Sequence, residues 1–182
     1  MSGVVKPRSF YVMLVLNAAI AYACIAIGFA YPSYVLSIPE LRQIYSQALQ
    51  LSQTIPPGPA GFGRYAYIQL QSLGGSAVLA AVTVFSSCID VAVDSLLRGV
   101  YLSQNLSMDP ASVASLAIGL SIDVFSSVLT LSAASAIGIE LWRALLTRSR
   151  VYKHRMLFLL ELVAVGLAIQ CIYIPALSSV MP

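Results

Sequence analysis

Asp90 and Asp94 stand four residues apart in the stretch CIDVAVDSLLR (88–98), and Asp123 stands in a second apolar run, SIDVFSS (121–127). At about 100° per residue the first two lie about 40° apart, on one helical face. A charged carboxylate in hydrocarbon costs about 3 kcal/mol or more, so it protonates, pairs with a cationic group or binds a cation. The chemistry this pattern supports is exchange of H⁺ or a metal cation. Ser72, Ser76, Thr83 and Ser87 fall within about 60° of the same direction and extend it into a polar stripe. A second stripe gathers Ser112, Ser127 and Thr130 around Asp123, with Gly119 and Ala134 among them. Lipid does not receive such faces, so the two stripes are expected to meet across a helical hairpin.

Depth sharpens the expectation. If Gly99 stops the first of these helices, Asp90 lies about nine residues inside it, and Asp123 lies about 13 residues after Pro110, an offset of about 7 Å. The expected ion or proton site is therefore Asp90 opposite Asp123, with Ser87, Ser127 and Thr130 beside them. Asp94 joins that set, although Arg98, four residues on, is its simplest partner.

Other chemistries find little support. Cys24, Cys88 and Cys171 fall in separate apolar segments without CxxC spacing, and His154 is the only histidine. No metal site, haem or other cofactor is expected. Two aspartates on adjacent helices suggest an intramembrane aspartyl hydrolase, but both follow isoleucine, and the Tyr-Asp and Gly-x-Gly-Asp motifs of such enzymes are missing. No nucleophile stands with a base, so no catalytic residue is assigned.

The elements that must position these groups follow from composition. Apolar residues make up 59% of the chain and charged residues 9%, against roughly 25% charged in soluble domains. Four segments are long enough to cross about 30 Å of hydrocarbon as helix: 10–31, 74–97, 113–139 and 156–176. The expected fold is all-α, a single polytopic membrane domain with four transmembrane helices and one amphipathic interfacial helix, 38–55, in the first loop. The first span, with Lys6 and Arg8 ahead of it and Ala21-Tyr22-Ala23 before Cys24, imitates a signal peptide, but its length suits a crossing. Ser37-x-x-Glu40 has capping-box spacing, the Pro- and Gly-rich run 56–63 interrupts regular structure, and Asp109-Pro110 reads as an N-cap followed by a first-turn proline.

Partners follow from the same faces. Asn17, Ala21, Cys24 and Gly28 line one side of the first span and suit lateral packing, into a homo-oligomer or against other membrane subunits; Gly119 offers a similar close approach. Arg143, Arg148, Arg150, Lys153 and Arg155 form a basic loop suited to anionic lipid headgroups. It lacks the aromatic interleaving that nucleic acid would favour. With four crossings, an outside N-terminus places seven Lys and Arg, including this loop, on the cytoplasmic side and three on the other. Two functions are consistent with this pattern: an oligomeric transport or channel protein working through Asp90, Asp94 and Asp123, or a non-catalytic accessory subunit of a larger membrane complex.

Overall fold

The computed structural model describes residues 7–54, 59–107 and 109–173, and every regular element among them is helical. In chain order these are α1 (Arg8–Ala30), the short α2 (Pro32–Val35), α3 (Pro39–Thr54), α4 (Pro59–Thr83), α5 (Ser86–Gln104), α6 (Pro110–Thr147) and α7 (Lys153–Ala168). α7 widens into a π-helical turn over Ile169–Tyr173. The ends of two expected segments, residue 55 and residues 174–176, lie outside the described residues. Among the described residues, three stretches combine the length and apolarity needed to cross a membrane: α1, α6 and 153–172.

The single helix expected over 74–97 is two helices. Val84 adopts φ 56°, and the chain reverses between α4 and α5. A β-branched residue in the left-handed region costs about 1–2 kcal/mol, so the turn needs compensation. It comes from hydroxyls: Ser87 Oγ and Ser135 Oγ each donate to the Val84 carbonyl at 3.0 Å, replacing the partner that a continuous helix would supply. Gly99 is not a helix stop either, since α5 continues to Gln104. The Pro- and Gly-rich run 56–63 does not exclude helix, because α4 starts at Pro59, where the missing N–H costs nothing. Asp109 does cap α6, accepting from Ala111 N and Ser112 N at 3.1 Å. Ser37, by contrast, donates back to the Tyr34 carbonyl at 2.6 Å instead of capping α3.

Contacts along α6 set the direction of every neighbour. Ser9 of α1 donates to Glu140 at 3.4 Å and Asn17 to Ser132 at 3.0 Å, so α1 runs antiparallel to α6. Ser135 bonds Ser87 at 2.8 Å while Arg98 meets Asp123 at 2.8 Å, so α5 is antiparallel as well. Arg155 faces Glu140 at 3.9 Å and Gln170 reaches Ser126 at 2.7 Å, so α7 is also antiparallel. α4 runs parallel to α6: Tyr65 lies near Asp123, and the Trp142 indole donates to the Val82 carbonyl at 3.0 Å. Among the described residues four helices therefore pack lengthwise around α6, whose residues 126–138 are all buried.

The distribution of side chains is the reverse of a soluble core. Asn17, Ser126, Thr130, Ser132 and Ser135 are fully buried, while Val12, Val15 and Val78 are 65–69% exposed on the outside. α3 folds across one end, where Tyr45 packs with Val35 and Val100 and donates to Gln104 at 2.6 Å.

Candidate functional site

The site grows from one long side chain. Arg98 leaves α5 in its lower half and crosses to α6, where its Nη2 lies 2.6 Å from Asp94 Oδ2 and 2.8 Å from Asp123 Oδ2. The same nitrogen reaches Ser127 Oγ at 3.5 Å. Four-residue spacing brings Asp94 and Arg98 together on α5, and the antiparallel register brings Asp123 to them from α6. From α7, the amide Nε2 of Gln170 lies within bonding distance of the Asp123 carboxylate and of Ser127 Oγ at 3.1 Å. The π turn places this side chain inward, with Gln170 only 1% exposed. π-helical turns are rare and recur at functional sites.

Burial grades the three charges. The side chains of Arg98 and Asp123 are 14% and 16% exposed, and that of Asp94 is 47% exposed. Removing Arg98 would leave the buried Asp123 carboxylate uncompensated, whereas Asp94 retains access to surroundings outside the bundle. Against the same arginine lies a cavity of about 170 Å³ between α1, α5 and α6. Its walls are mainly apolar, including Ala21, Ile25, Phe125 and Val128, with Tyr22 and Ser121 adding hydroxyls.

Asp90 and Asp123 do not form the expected cross-helix pair. The Ser87–Ser135 and Arg98–Asp123 contacts set a register in which Asp90 lies level with Ser132, about 13 Å along α6 from Asp123. The offset arises because α6 begins farther out than α5 ends. Asp90 instead has the Ser76 hydroxyl of α4 beside it and Asp94 one turn away, and its Oδ2 is buried without a hydrogen-bond partner. Ser127 does line the Arg98 cluster. Ser87 is engaged at the α4–α5 turn, and Thr130 donates within α6 to the Ser126 carbonyl at 2.8 Å, under Gly166.

The packing residues also fall differently from the expectation. Asn17 and Gly28 are used inside the chain: Asn17 bonds Ser132, and a side chain on Gly28 would strike the Leu96 carbonyl. That face of α1 is therefore not free for lateral association. Gly119 has nothing within 4 Å of a would-be Cβ and packs no helix closely. In the basic loop, Arg143, Arg148, Arg150 and Lys153 are exposed, while Arg155 faces Glu140 and stacks 4.8 Å over the Tyr152 ring. The start of α1 lies at this same end of the bundle, through Ser9 and Glu140. The added reversal at Val84 is the reason.

Arg98 and Gln170 are the members that sequence reasoning did not place in the site. Arg98 carried a signal in its spacing from Asp94, but reading Gly99 as a stop put it at a surface. Neither a family model, nor a curated protein, nor a solved structure matches this chain.

Proposed function

We propose that this chain is a multi-pass membrane protein that conducts, or couples to, H⁺ or a cation through the carboxylates of α5 and α6. The observation that carries the reading is a charge imbalance inside an apolar bundle: Asp90, Asp94 and Asp123 against the single guanidinium of Arg98. A purely structural ion pair needs one carboxylate per cation, and retaining uncompensated negative charge in hydrocarbon is costly unless a carboxylate exchanges a positive species.

In this reading α1, α4, α5, α6 and α7 all cross the bilayer. α4 and α5 are less apolar than the others because they carry the polar stripe inward. Five crossings put Lys6, Arg8 and the five cations of 143–155 on one side, leaving Arg42 and Arg64 on the other, with Arg98 inside. The cytoplasmic side is then the side of the N-terminus and the basic loop, and one rule satisfies all seven charges. The exposed arginines there meet anionic headgroups, and α3 rests at the opposite interface with Ile44 and Leu51 outward.

The test is reconstitution into liposomes, reading H⁺ with a trapped pH dye and Na⁺ or K⁺ with cation-selective dyes. Wild-type protein is expected to dissipate one of these gradients, and Asp90→Asn or Asp123→Asn to slow that flux at least tenfold. No flux of any of these ions, together with stoichiometric recovery of another membrane protein on mild purification, would replace this reading with that of an accessory subunit.

A further inference from the structure

Among the described residues, five buried side-chain atoms have no hydrogen-bond partner: Asn17 Oδ1, Ser86 Oγ, Asp90 Oδ2, Arg98 Nη1 and Gln170 Oε1. Ser86 and Asp90 are four residues apart on α5 and so lie on one face. Helical side chains lean toward the N-terminus, which directs the Asp90 carboxyl back toward Ser86 and the α4–α5 turn. That turn is at the end of the bundle, and Phe85 within it is 74% exposed. Asp90 is thus about 6 Å along α5 from its first residue, close to the basic end, whereas Asp94 and Asp123 are engaged with Arg98 deeper in the bundle.

We propose that the Ser86–Asp90 turn is a proton-exchange site reached from the α4–α5 end, with the Asp90 carboxylate taking up and releasing H⁺ while Arg98 holds Asp94 and Asp123 as fixed charges. This rests on the transport reading above and names its ion. Donor count argues for a proton. A bare metal cation such as Ca²⁺ or Mg²⁺ takes about six oxygens or more, but the groups here are one carboxylate and the hydroxyls of Ser76 and Ser86. No group of three or more His, Cys, Asp or Glu among the described residues could hold a metal ion. The charged group acting on Asp90 is Asp94 on its own helix; α4 contributes the Ser76 hydroxyl, and α1 and α6 present Asn17 and Ser132 at this level, neither of which ionises. In the exchange step hydronium gives its proton to Asp90 Oδ2, one O–H bond breaks and one forms, and neutral water leaves. Ser86 Oγ and Asp90 Oδ2 are not bonded to each other as they stand, so a rotation of either side chain brings the new O–H to the Ser86 hydroxyl, and the reverse step returns the proton.

Infrared difference spectra across a pH titration in lipid nanodiscs test this without depending on transport. Wild type is expected to show a protonated-carboxyl C=O band that Asp90→Asn removes, Asp90→Glu moves in frequency and Asp94→Asn leaves in place. Each variant is first checked for an unchanged thermal unfolding profile, and Asp90→Glu supplies the readout if Asp90→Asn does not fold. A band unaffected by both Asp90 variants, or no titrating carboxyl band, overturns the proposal. The band present in protein that moves no ions would retain the exchange site and remove the transport reading. Ion flux without the band would do the reverse.

Discussion

At the residue scale, Asp94 and Asp123 bind the same guanidinium nitrogen from different environments, and their substitution should separate accordingly. Asp123→Ala leaves buried Arg98 with Asp94 as its one remaining carboxylate and removes the charged acceptor of the Gln170 amide, and should lower stability by about 3 kcal/mol, read as thermal unfolding in detergent. Asp94, 47% exposed at its side chain, should cost under about 1 kcal/mol on the same measure when changed to Ala. Outside the membrane, Ser112 and the N–H groups of the first turn of α6 hold the Asp109 carboxyl below the ordinary carboxylate range. Its cap therefore stabilises the fold above the unfolded-state pKa, and that contribution is lost as pH falls through the lower folded-state value. Asp109→Ala should lower the melting temperature at pH 7, and the gap to wild type should close on acidification. A constant gap across pH would assign the effect to something other than the carboxylate charge. The sequence was informative at this scale about residue type: the aspartates, the Asp94–Arg98 spacing and the Asp109 cap are all readable from it. Arg98 as the hub was not, because its role depends on which way a glycine is used.

At the element scale that glycine is Gly99. A Cβ there would strike the Ile25 carbonyl and come within 2.8 Å of Phe29 N and 3.1 Å of Gly28 C, all backbone atoms that cannot rotate away. α1 and α5 cross at van der Waals distance through Gly28 and Gly99, which is how small residues bring membrane helices together. Gly99→Ala should force the helices apart and cost about 1–3 kcal/mol in thermal unfolding. Gly119→Ala, with open space around it, should be neutral or gain up to about 1 kcal/mol of helix propensity; equal losses at both positions would contradict the crossing. A stop glycine and a crossing glycine are the same letter in a sequence. The difference is made by a second helix far along the chain, and the Val84 reversal was hidden for the same reason: its carbonyl is satisfied by Ser135, 51 residues away.

For the whole molecule, the all-helical character and the membrane-crossing apolar segments follow from composition and length. The number of crossings does not, because α4 and α5 together resemble one long apolar segment preceded by a polar loop. Side-specific cysteine labelling in a background lacking Cys24, Cys88 and Cys171 resolves it. With five crossings, Phe85→Cys and Ser149→Cys react with an impermeant maleimide from the cytoplasmic face, and Ser46→Cys reacts from the other. With four crossings Phe85 would be in mid-membrane and unreactive. Labelling of Phe85→Cys and Ser46→Cys from one face would also exclude the five-crossing arrangement.

The reversal at Val84 and Phe85 also bears on how the chain is built. α4 carries Arg64 and two glutamines and α5 carries three charges, so neither has the apolarity of α1 or α6. Joined by two residues, they form one hairpin, and it packs on α6 as far along as Gly138. In chain order the hairpin precedes the helix it packs on. The carboxylates that the finished fold gathers around Arg98 make the growing chain dependent on the order in which its helices emerge.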